Sequence, residues 1–230
     1  GLAHEINNPI HTILTAAEFL RVELESQSPE HSEYAQVISE QCSRVSRIIN
    51  GLLAFSRQDR GGRVPTPLRS VVEGAVHLIE TALVRDGVHL VLELADDLPL
   101  ARCHAQQIQQ SLINVIENAR DALDDHHPPG AERRIVIRAR RRDEGPQTWL
   151  RITVEDTGPG IPGGILDRVL EPFFTTRSPG LHAGLGLSVA HGIMKDHEGS
   201  ISLDSRPGAG TRVFLDFPAI HSDLPRTPLG

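Results

Sequence analysis

The sequence has little cysteine, a single lysine and no long apolar run. Its two cysteines, Cys42 and Cys103, lack the paired spacing of a metal site or a disulfide framework, which favours a reducing setting. No stretch is apolar enough to span a membrane, and the first residues lack the pattern of a secretory signal. We therefore expect this part of the chain to be soluble and cytoplasmic, with any membrane tether in N-terminal segments missing from it.

The chain also has no excess of positive charge: 30 aspartates and glutamates outnumber 23 lysines and arginines, and the formal net charge is −7. An acidic balance gives no general attraction to nucleic acid or to an anionic membrane surface. We expect no nucleic-acid partner and no membrane contact within this sequence. Any binding of a polyanion must depend on a local site.

The first 55 residues carry two helical patterns separated by a turn at Ser28 and Pro29. Alternating spacings of four and three between apolar residues predict two packed helices. The seam residues are Ile6, Ile10, Ile13, Ala17, Leu20 and Leu24, then Tyr34, Ile38, Gln41, Val45, Ile48, Leu52 and Phe55. A single hairpin leaves apolar surface open to water. We expect a homodimer with a four-helix bundle, the alternative being packing against the rest of the chain.

Strand and helix patterns alternate through the remainder of the chain. Strands are predicted at 88–94, 100–103, 134–140, 149–155, 200–205 and 211–217, and helices at 105–125 and 185–196. A further helix runs to about Arg85, preceded by a capping-box pattern of Ser70 and Glu73. Such mixing predicts a mostly antiparallel sheet with helices on one face, a two-layer sandwich.

These patterns predict an α+β fold class with four parts. A helical hairpin occupies 1–57, a glycine- and proline-rich linker 58–66, an α/β sandwich 67–218, and a disordered tail 219–230.

One predicted helix carries polar residues along a single face. Asn114, Asn118 and Asp121 are separated by four and three residues, so they share that face. A solvated stripe and a ligand site both fit this pattern. Asparagine carbonyls suit a magnesium ion that keeps several waters and is shared with phosphates.

Two glycine-rich segments follow. In DTGPG, Gly158 and Gly160 allow a sharp turn and close approach to a flat ligand, and a buried Asp156 would accept a hydrogen bond from an exocyclic amine. In GLGLS, Gly184, Leu185 and Gly186 precede a helix whose N-terminal N–H groups suit phosphate. An ordinary turn and a flexible joint are the alternatives. Between them, EPFFTTR supplies Phe173 or Phe174 as an apolar anchor for a mobile lid.

The order of an asparagine helix, DxGxG, FFTT and GxGL resembles the catalytic, ATP-binding domain of bacterial sensor histidine kinases. That domain is related to the ATPases of type II topoisomerases, heat-shock chaperones and mismatch repair. The resemblance implies ATP and Mg²⁺ as cofactors, a lid from about Ile161 to Ala183, Asn118 on the magnesium, Asp156 on the adenine amine, and Gly184 and Gly186 at the phosphates. The further implied nucleotide contacts are Asn114, Asp121, Gly158, Gly160, Phe173, Arg177 and Leu185.

The segment HEINNP, from His4 to Pro9, is similar to the phosphoacceptor box of the same kinases, particularly those of the nitrogen-regulator type. His4 precedes the seam residue Ile6 by two positions and so lies off the buried stripe. The resemblance implies that His4 receives the γ-phosphoryl group, Glu5 takes the ring proton, and Asn8 helps position a water during dephosphorylation of the partner. We expect the helix to extend upstream of Gly1, because a nucleophile near a frayed end would be poorly held.

Together the motifs predict ATP-dependent autophosphorylation on His4, transfer to an aspartate of a response regulator, and a phosphatase activity. A nucleotide-binding scaffold without phosphoryl transfer is the first alternative. The second is a hydrolytic ATPase. It is disfavoured because the pattern of the hydrolytic relatives has a glutamate base where this chain has Asn114, and an amide cannot accept a proton.

Overall fold

The computed structural model of the chain describes residues 2–24, 31–32, 34–38, 42, 45, 62–125, 132–144, 147–176 and 184–220. For residues 2–9, 23–24, 125 and 144 the description is limited to the backbone. The chain divides into two compact units, one formed by Gly1–Gln58 with Glu171–Leu185 and the other by Asp59–Leu170 with Gly186–Gly230.

The first unit begins with helix α1, Leu2–Leu24. Every described residue between 31 and 45 is also α-helical. Ile10 and Ala17 of the predicted seam are buried, whereas Ile13 and Leu20 are 50% and 48% exposed. The helical N-terminal region is therefore confirmed, and half of the described seam of α1 faces solvent within this chain.

The second unit contains seven strands and three α-helices in its described residues. The strands are β1 Val64–Pro67, β2 His89–Leu94, β3 Leu100–Cys103, β4 Arg134–Glu144, β5 Gln147–Asp156, β6 Ser200–Ser205 and β7 Thr211–Pro218. The helices are α2 Leu68–Arg85, α3 Ala105–Asp125 and α4 Gly186–Asp196, with a 3-10 helix at Gly163–Arg168. None of the described helices is both long and apolar enough to cross a membrane.

Five strands form the main sheet in the order β2-β4-β5-β7-β6. The β2–β4 pair is parallel and the other three pairs are antiparallel. β1 and β3 form a separate antiparallel pair. The predicted two-layer sandwich with a mostly antiparallel sheet is confirmed.

Alternation along β5 decides which side chains enter the core. Leu150, Ile152 and Val154 are buried, whereas the residues between them are not. By the same alternation Asp156, the last residue of β5, falls on the buried face. The pleat thus carries a carboxylate to the core side of the sheet at the end of a central strand.

The core lies between this face of the sheet and helices α2, α3 and α4. The central helix, α3, contacts both α2 and α4. Its buried face consists of Ile108, Leu112, Val115, Ile116, Ala119 and Leu123. These residues recur at three- and four-residue spacing, as expected for a helix that is buried along one stripe.

The opposite face of the sheet carries paired charges. Arg138 bonds to Glu93 on β2 and to Glu155 on β5. Arg151 donates two hydrogen bonds of 2.7 Å to the carboxylate of Asp216. Cross-strand ion pairs of this kind suit a solvated sheet face.

Two predicted boundaries at the start of the sandwich differ from the structure. Residues 64–66, which we placed in the linker, belong to β1. Helix α2 begins at Leu68, and no side chain in the described part of the chain caps its start. The Ser70 hydroxyl instead donates to the carbonyl of Pro67 at 2.8 Å. The Ser70–Glu73 capping box is therefore wrong. It failed because the chain enters the helix directly from β1, two residues earlier than the pattern indicated.

The predicted tail and lid also contain ordered positions. The N–H of Ala219 donates to Thr148 and that of Ile220 donates to Leu100, at 3.0 and 2.9 Å. Residues 221–230 lie outside the described part of the chain. At the start of the predicted lid, the N–H of Ile161 donates to Ser205 Oγ at 2.8 Å, and the 3-10 helix follows.

Candidate functional site

Asp156 is a buried carboxylate with one oxygen engaged and one open. Its Oδ1 accepts hydrogen bonds from the N–H groups of Gly158 and Thr211, at 2.8 and 3.3 Å. Within the described part of the chain, Oδ2 accepts none. Burial raises the pKa of Asp156 to about 6, although the two N–H donors oppose this shift. The arrangement presents a desolvated acceptor that is suited to an N–H donor on a ligand.

The glycines of DTGPG are required by close contacts. A Cβ on Gly158 would lie 2.8 Å from Asp156 Oδ1 and 3.3 Å from the Cβ of Ala122 on α3. Gly160 has φ 73°, and a Cβ there would lie 2.0 Å from the carbonyl oxygen of Arg206. Gly158 therefore packs the turn against α3, and Gly160 packs it against the β6–β7 connection.

The β6–β7 turn supports Asp156, and sequence reasoning did not identify it. The Ser205 hydroxyl donates to the carbonyl of Gly210 at 2.9 Å, and the N–H of Gly208 donates to that of Pro159 at 2.7 Å. Thr211, the first residue of β7, supplies the second donor to Asp156. The available signal was the run Pro-Gly-Ala-Gly at 207–210 between two strands, which marks a turn with positive φ angles.

On α3 the carboxamide of Asn114 is held by two neighbours. Asn114 Oδ1 accepts from Gln110 Nε2 at 2.9 Å, and Asn114 Nδ2 donates to the carbonyl of Gly186 at 3.2 Å. Asp121 pairs with Arg120 at 3.1 Å. The structure thus brings two predicted site residues, Asn114 and Gly186, into direct contact.

Asn118 is half-buried one turn after Asn114. Its carboxamide makes no hydrogen bond with a residue in the described part of the chain, so its oxygen is available to a cation. No group of three or more His, Cys, Asp or Glu side chains among the described residues could hold a metal ion by itself. A magnesium ion that uses one amide oxygen, water and phosphate oxygens fits this donor set.

A backbone hydrogen bond connects the FFTT motif to the GLGLS motif. The N–H of Phe173 donates to the carbonyl of Gly184 at 2.9 Å, and both residues have positive φ, 66° and 64°. Phe173 is 63% exposed and Phe174 is half-buried, so of the two candidate anchors Phe174 is the more covered by described residues. Leu185 is buried, and Gly186 is the exposed first residue of α4. Arg177 lies outside the described residues.

His4, Glu5 and Asn8 all lie within α1. Their side chains fall outside the described part of the structure. Their assigned roles therefore stay predictions, and so do the roles of the other site residues.

The fold and the buried aspartate define a class, the α/β-sandwich nucleotide-binding ATPases. Residues 103–221 match the family model described as histidine kinase-, DNA gyrase B- and HSP90-like ATPase. Residues 1–61 match the model of the His Kinase A phospho-acceptor domain. The chain belongs to the sensor histidine kinases of two-component systems.

Individual relatives agree with this assignment. Over 214 residues the chain is 36% identical to the sensory histidine kinase/phosphatase NtrB of Escherichia coli O157:H7. The aligned region covers 90% of this chain and 58% of NtrB. It is 31% identical over 218 residues to the signal transduction histidine-protein kinase AtoS of Escherichia coli strain K12. That aligned region covers 95% of this chain and 34% of AtoS. The chain therefore spans between a third and three fifths of the length of these two relatives.

Solved structures share the fold. One is histidine kinase ThkA in its complex with the response regulator protein TrrA, which superposes with a TM-score of 0.65 at 25% identity. The superposition covers 95% of this chain and 60% of the ThkA chain. Full-length ShkA, in complex with AMPPNP, matches 95% of this chain and 45% of its own at a TM-score of 0.68 and 22% identity. At that identity the likeness to ShkA concerns the fold alone.

Proposed function

We propose that this chain transfers the γ-phosphoryl group of ATP to His4 and then to an aspartate of a response regulator. The observation that carries the nucleotide half of the proposal is the buried Asp156. Its open Oδ2 would accept a hydrogen bond from the exocyclic amine of adenine, and its pKa of about 6 leaves it mostly ionised at neutral pH. The match of residues 103–221 to an ATPase family model supports the same ligand.

The phosphates would lie at the start of α4. Gly186 opens this helix, where N–H groups without helical partners and the helix dipole favour negative charge. Asn118 would hold Mg²⁺ through its free carboxamide oxygen. A magnesium ion there would offset charge on the transferring phosphoryl group. The implied contacts of Asp121, Phe173, Arg177, Gly184 and Leu185 belong to this proposal.

In the transfer step an imidazole nitrogen of His4 attacks the γ-phosphorus and the bond to the β-phosphate oxygen breaks, which releases ADP. Glu5 takes the ring proton as the nitrogen–phosphorus bond forms. Residues four apart share a helix face, so Asn8 lies beside His4 and would position water for dephosphorylation of the partner. The word phosphatase in the name of NtrB supports this second activity.

A surface suited to a receiver domain runs along α1. Phe19 and Val22 are 73% and 60% exposed. Val22 follows His4 by about five helical turns, so the two positions share one face of the helix. An exposed apolar strip below the phosphoacceptor would bind a protein partner. The TrrA complex of ThkA supports a response regulator as that partner.

The exposed seam residues of α1, Ile13 and Leu20, support dimerisation through the hairpin. In a four-helix bundle they would be covered by the second subunit. We also propose the domain limits. The hairpin at 1–57 carries the phosphoacceptor and the dimer contacts, and the sandwich, which now begins with β1, carries the nucleotide site.

Incubation with γ-labelled ATP and Mg²⁺ tests the transfer. We expect an acid-labile, base-stable label on the wild-type chain and none on His4→Gln. His11→Gln is a matched control, because His11 lies on the same helix and is exposed. Equal labelling of His4→Gln would exclude His4 as the acceptor, and rapid phosphate release without a labelled protein would favour hydrolysis.

A further inference from the structure

The Asn114 carboxamide is engaged on both of its polar atoms. Gln110 Nε2 donates to Asn114 Oδ1 at 2.9 Å, and Asn114 Nδ2 donates to the Gly186 carbonyl at 3.2 Å. A Cβ on Gly186 would lie 3.8 Å from the Cβ of Asn114, so α3 and α4 approach closely at this point. Within the protein, Asn114 therefore links the two helices that carry the proposed magnesium and phosphate sites.

The orientation of both amides follows from the Gly186 carbonyl. A carbonyl oxygen only accepts, so the Asn114 amide must turn its Nδ2 toward it. Oδ1 is then directed to Gln110, which must present its own Nε2. Each donor in this series therefore points the same way, from Gln110 to Asn114 and from Asn114 to Gly186 in the first turn of α4.

We propose that Gln110 and Asn114 are positioning residues that hold the first turn of α4 in register with Asn118 on α3. This inference rests on the proposed function, in which α4 receives the phosphates and Asn118 the metal. Asn114 then acts on the nucleotide only through Gly186. The proposal places the metal on Asn118 and not on Asn114, because Asn114 Oδ1 already accepts from Gln110 whereas the Asn118 carboxamide has no partner in the described part of the chain.

The substitution Asn114→Asp distinguishes a positioning residue from a metal ligand without changing the size of the side chain. Aspartate keeps an acceptor for Gln110 but turns an oxygen toward the Gly186 carbonyl, so the link to α4 is replaced by repulsion. A carboxylate suits Mg²⁺ at least as well as an amide does. A metal ligand would thus tolerate the change, whereas a positioning residue would not.

The experiment measures the affinity of the chain for ATP with Mg²⁺, for ATP with chelator and for adenosine. We expect Asn114→Asp and Asn114→Ala to weaken ATP binding about three- to tenfold in both conditions, the worth of one hydrogen bond, with adenosine unchanged. Gln110→Ala should give a smaller loss, and none when added to Asn114→Ala. Gln106→Ala, at an exposed glutamine one turn earlier on α3, is the matched control.

Unchanged Mg²⁺-ATP affinity in Asn114→Asp would overturn the proposal, as would a loss confined to the Mg²⁺ condition. Parallel losses of ATP and adenosine binding would show a general packing role and would also overturn it. If Asn114→Ala does not fold, Gln110→Ala decides, because Gln110 is exposed and its truncation removes little packing. A wild-type chain that binds no ATP would instead reject the proposed function itself.

Discussion

Gly210 lies directly against the backbone of Asp156: a Cβ on Gly210 would be 2.0 Å from the Asp156 carbonyl oxygen. Gly210 also has φ 78°, which side chains rarely adopt. Its neighbour Thr211 donates to the Asp156 carboxylate. The β6–β7 turn is therefore part of the structure that positions the aspartate.

Gly210→Ala should destabilise the fold by more than about 2 kcal/mol, because positive φ and a backbone clash act together. Gly208→Ala is the matched control. Gly208 has φ 77°, but no atom of the described residues lies within 4 Å of an added Cβ, so only the backbone penalty of about 1 kcal/mol applies. Denaturant unfolding of both variants measures the difference. Equal losses would show that the contact with Asp156 contributes nothing.

Asp156→Asn should bind ATP about 100-fold more weakly, since an amine donor would meet an amide donor where it now meets an acceptor. The fold should tolerate the change, because the amide oxygen still accepts from Gly158 and Thr211. Calorimetry with ATP and thermal unfolding measure the two effects. Asp204→Asn, at an exposed carboxylate on β6, is the control. Retained ATP affinity in Asp156→Asn would exclude Asp156 from adenine recognition.

The pH dependence of ligand binding follows from the pKa of about 6 for Asp156. Adenosine affinity should fall as the pH drops below about 6, because the protonated carboxyl is a weaker acceptor. Adenosine is the preferred probe since it carries no titrating phosphate. Asp156→Asn should lack this dependence. A wild-type affinity that stays flat between pH 5 and 7 would contradict the prediction.

The stability of the unliganded chain should respond to pH in the opposite sense. The folded-state pKa of Asp156 is raised above its ordinary value of 3.8, so the protonated form is favoured by folding. The stabilisation is present below pH 3.8 and is lost as the pH rises through about 6. At pH 8 the cost is up to about 3 kcal/mol, so Asp156→Asn should unfold at a higher temperature than wild type there. A lower melting temperature would contradict this expectation.

The sequence predicted elements whose signals are local. The bounds of α3 and β3 agree with the prediction because an amphipathic period and a short alternating run mark them. β1 was missed because Pro65 and Pro67 lack backbone N–H groups, and two prolines so close together are typical of a linker. The strand is tolerated because it lies at the edge of a two-stranded sheet, where β3 is its single partner among the described strands.

The site was predictable in part for the same reason. The motif DTGPG predicts a carboxylate beside a glycine turn, and the structure has both. The contact of Gly160 with Arg206 joins residues far apart in sequence, so periodicity cannot reveal it. Likewise, the bond from Asn114 to Gly186 depends on how closely two helices approach.

His197 joins the end of α4 to the start of α3. Its Nδ1 lies 2.8 Å from the carbonyl of Ile193, and its Nε2 accepts the N–H of His104 at 3.1 Å. The buried ring must be neutral, with its proton on Nδ1, to make both bonds. Burial lowers the pKa of His197, and the nearby Arg63 adds to this shift.

His197→Ala should cost about 2 to 3 kcal/mol at pH 8, because two hydrogen bonds and a buried ring are lost. The advantage of wild type should shrink in acid. Since the folded-state pKa is below the ordinary 6.5, the stabilisation is full above pH 6.5 and declines as the pH falls below it. Unfolding of both proteins from pH 8 to 5 measures this change. His191→Ala, at an exposed histidine on α4, should differ little from wild type throughout. A difference between wild type and His197→Ala that stays constant with pH would show that the neutral ring is not what joins the two helices.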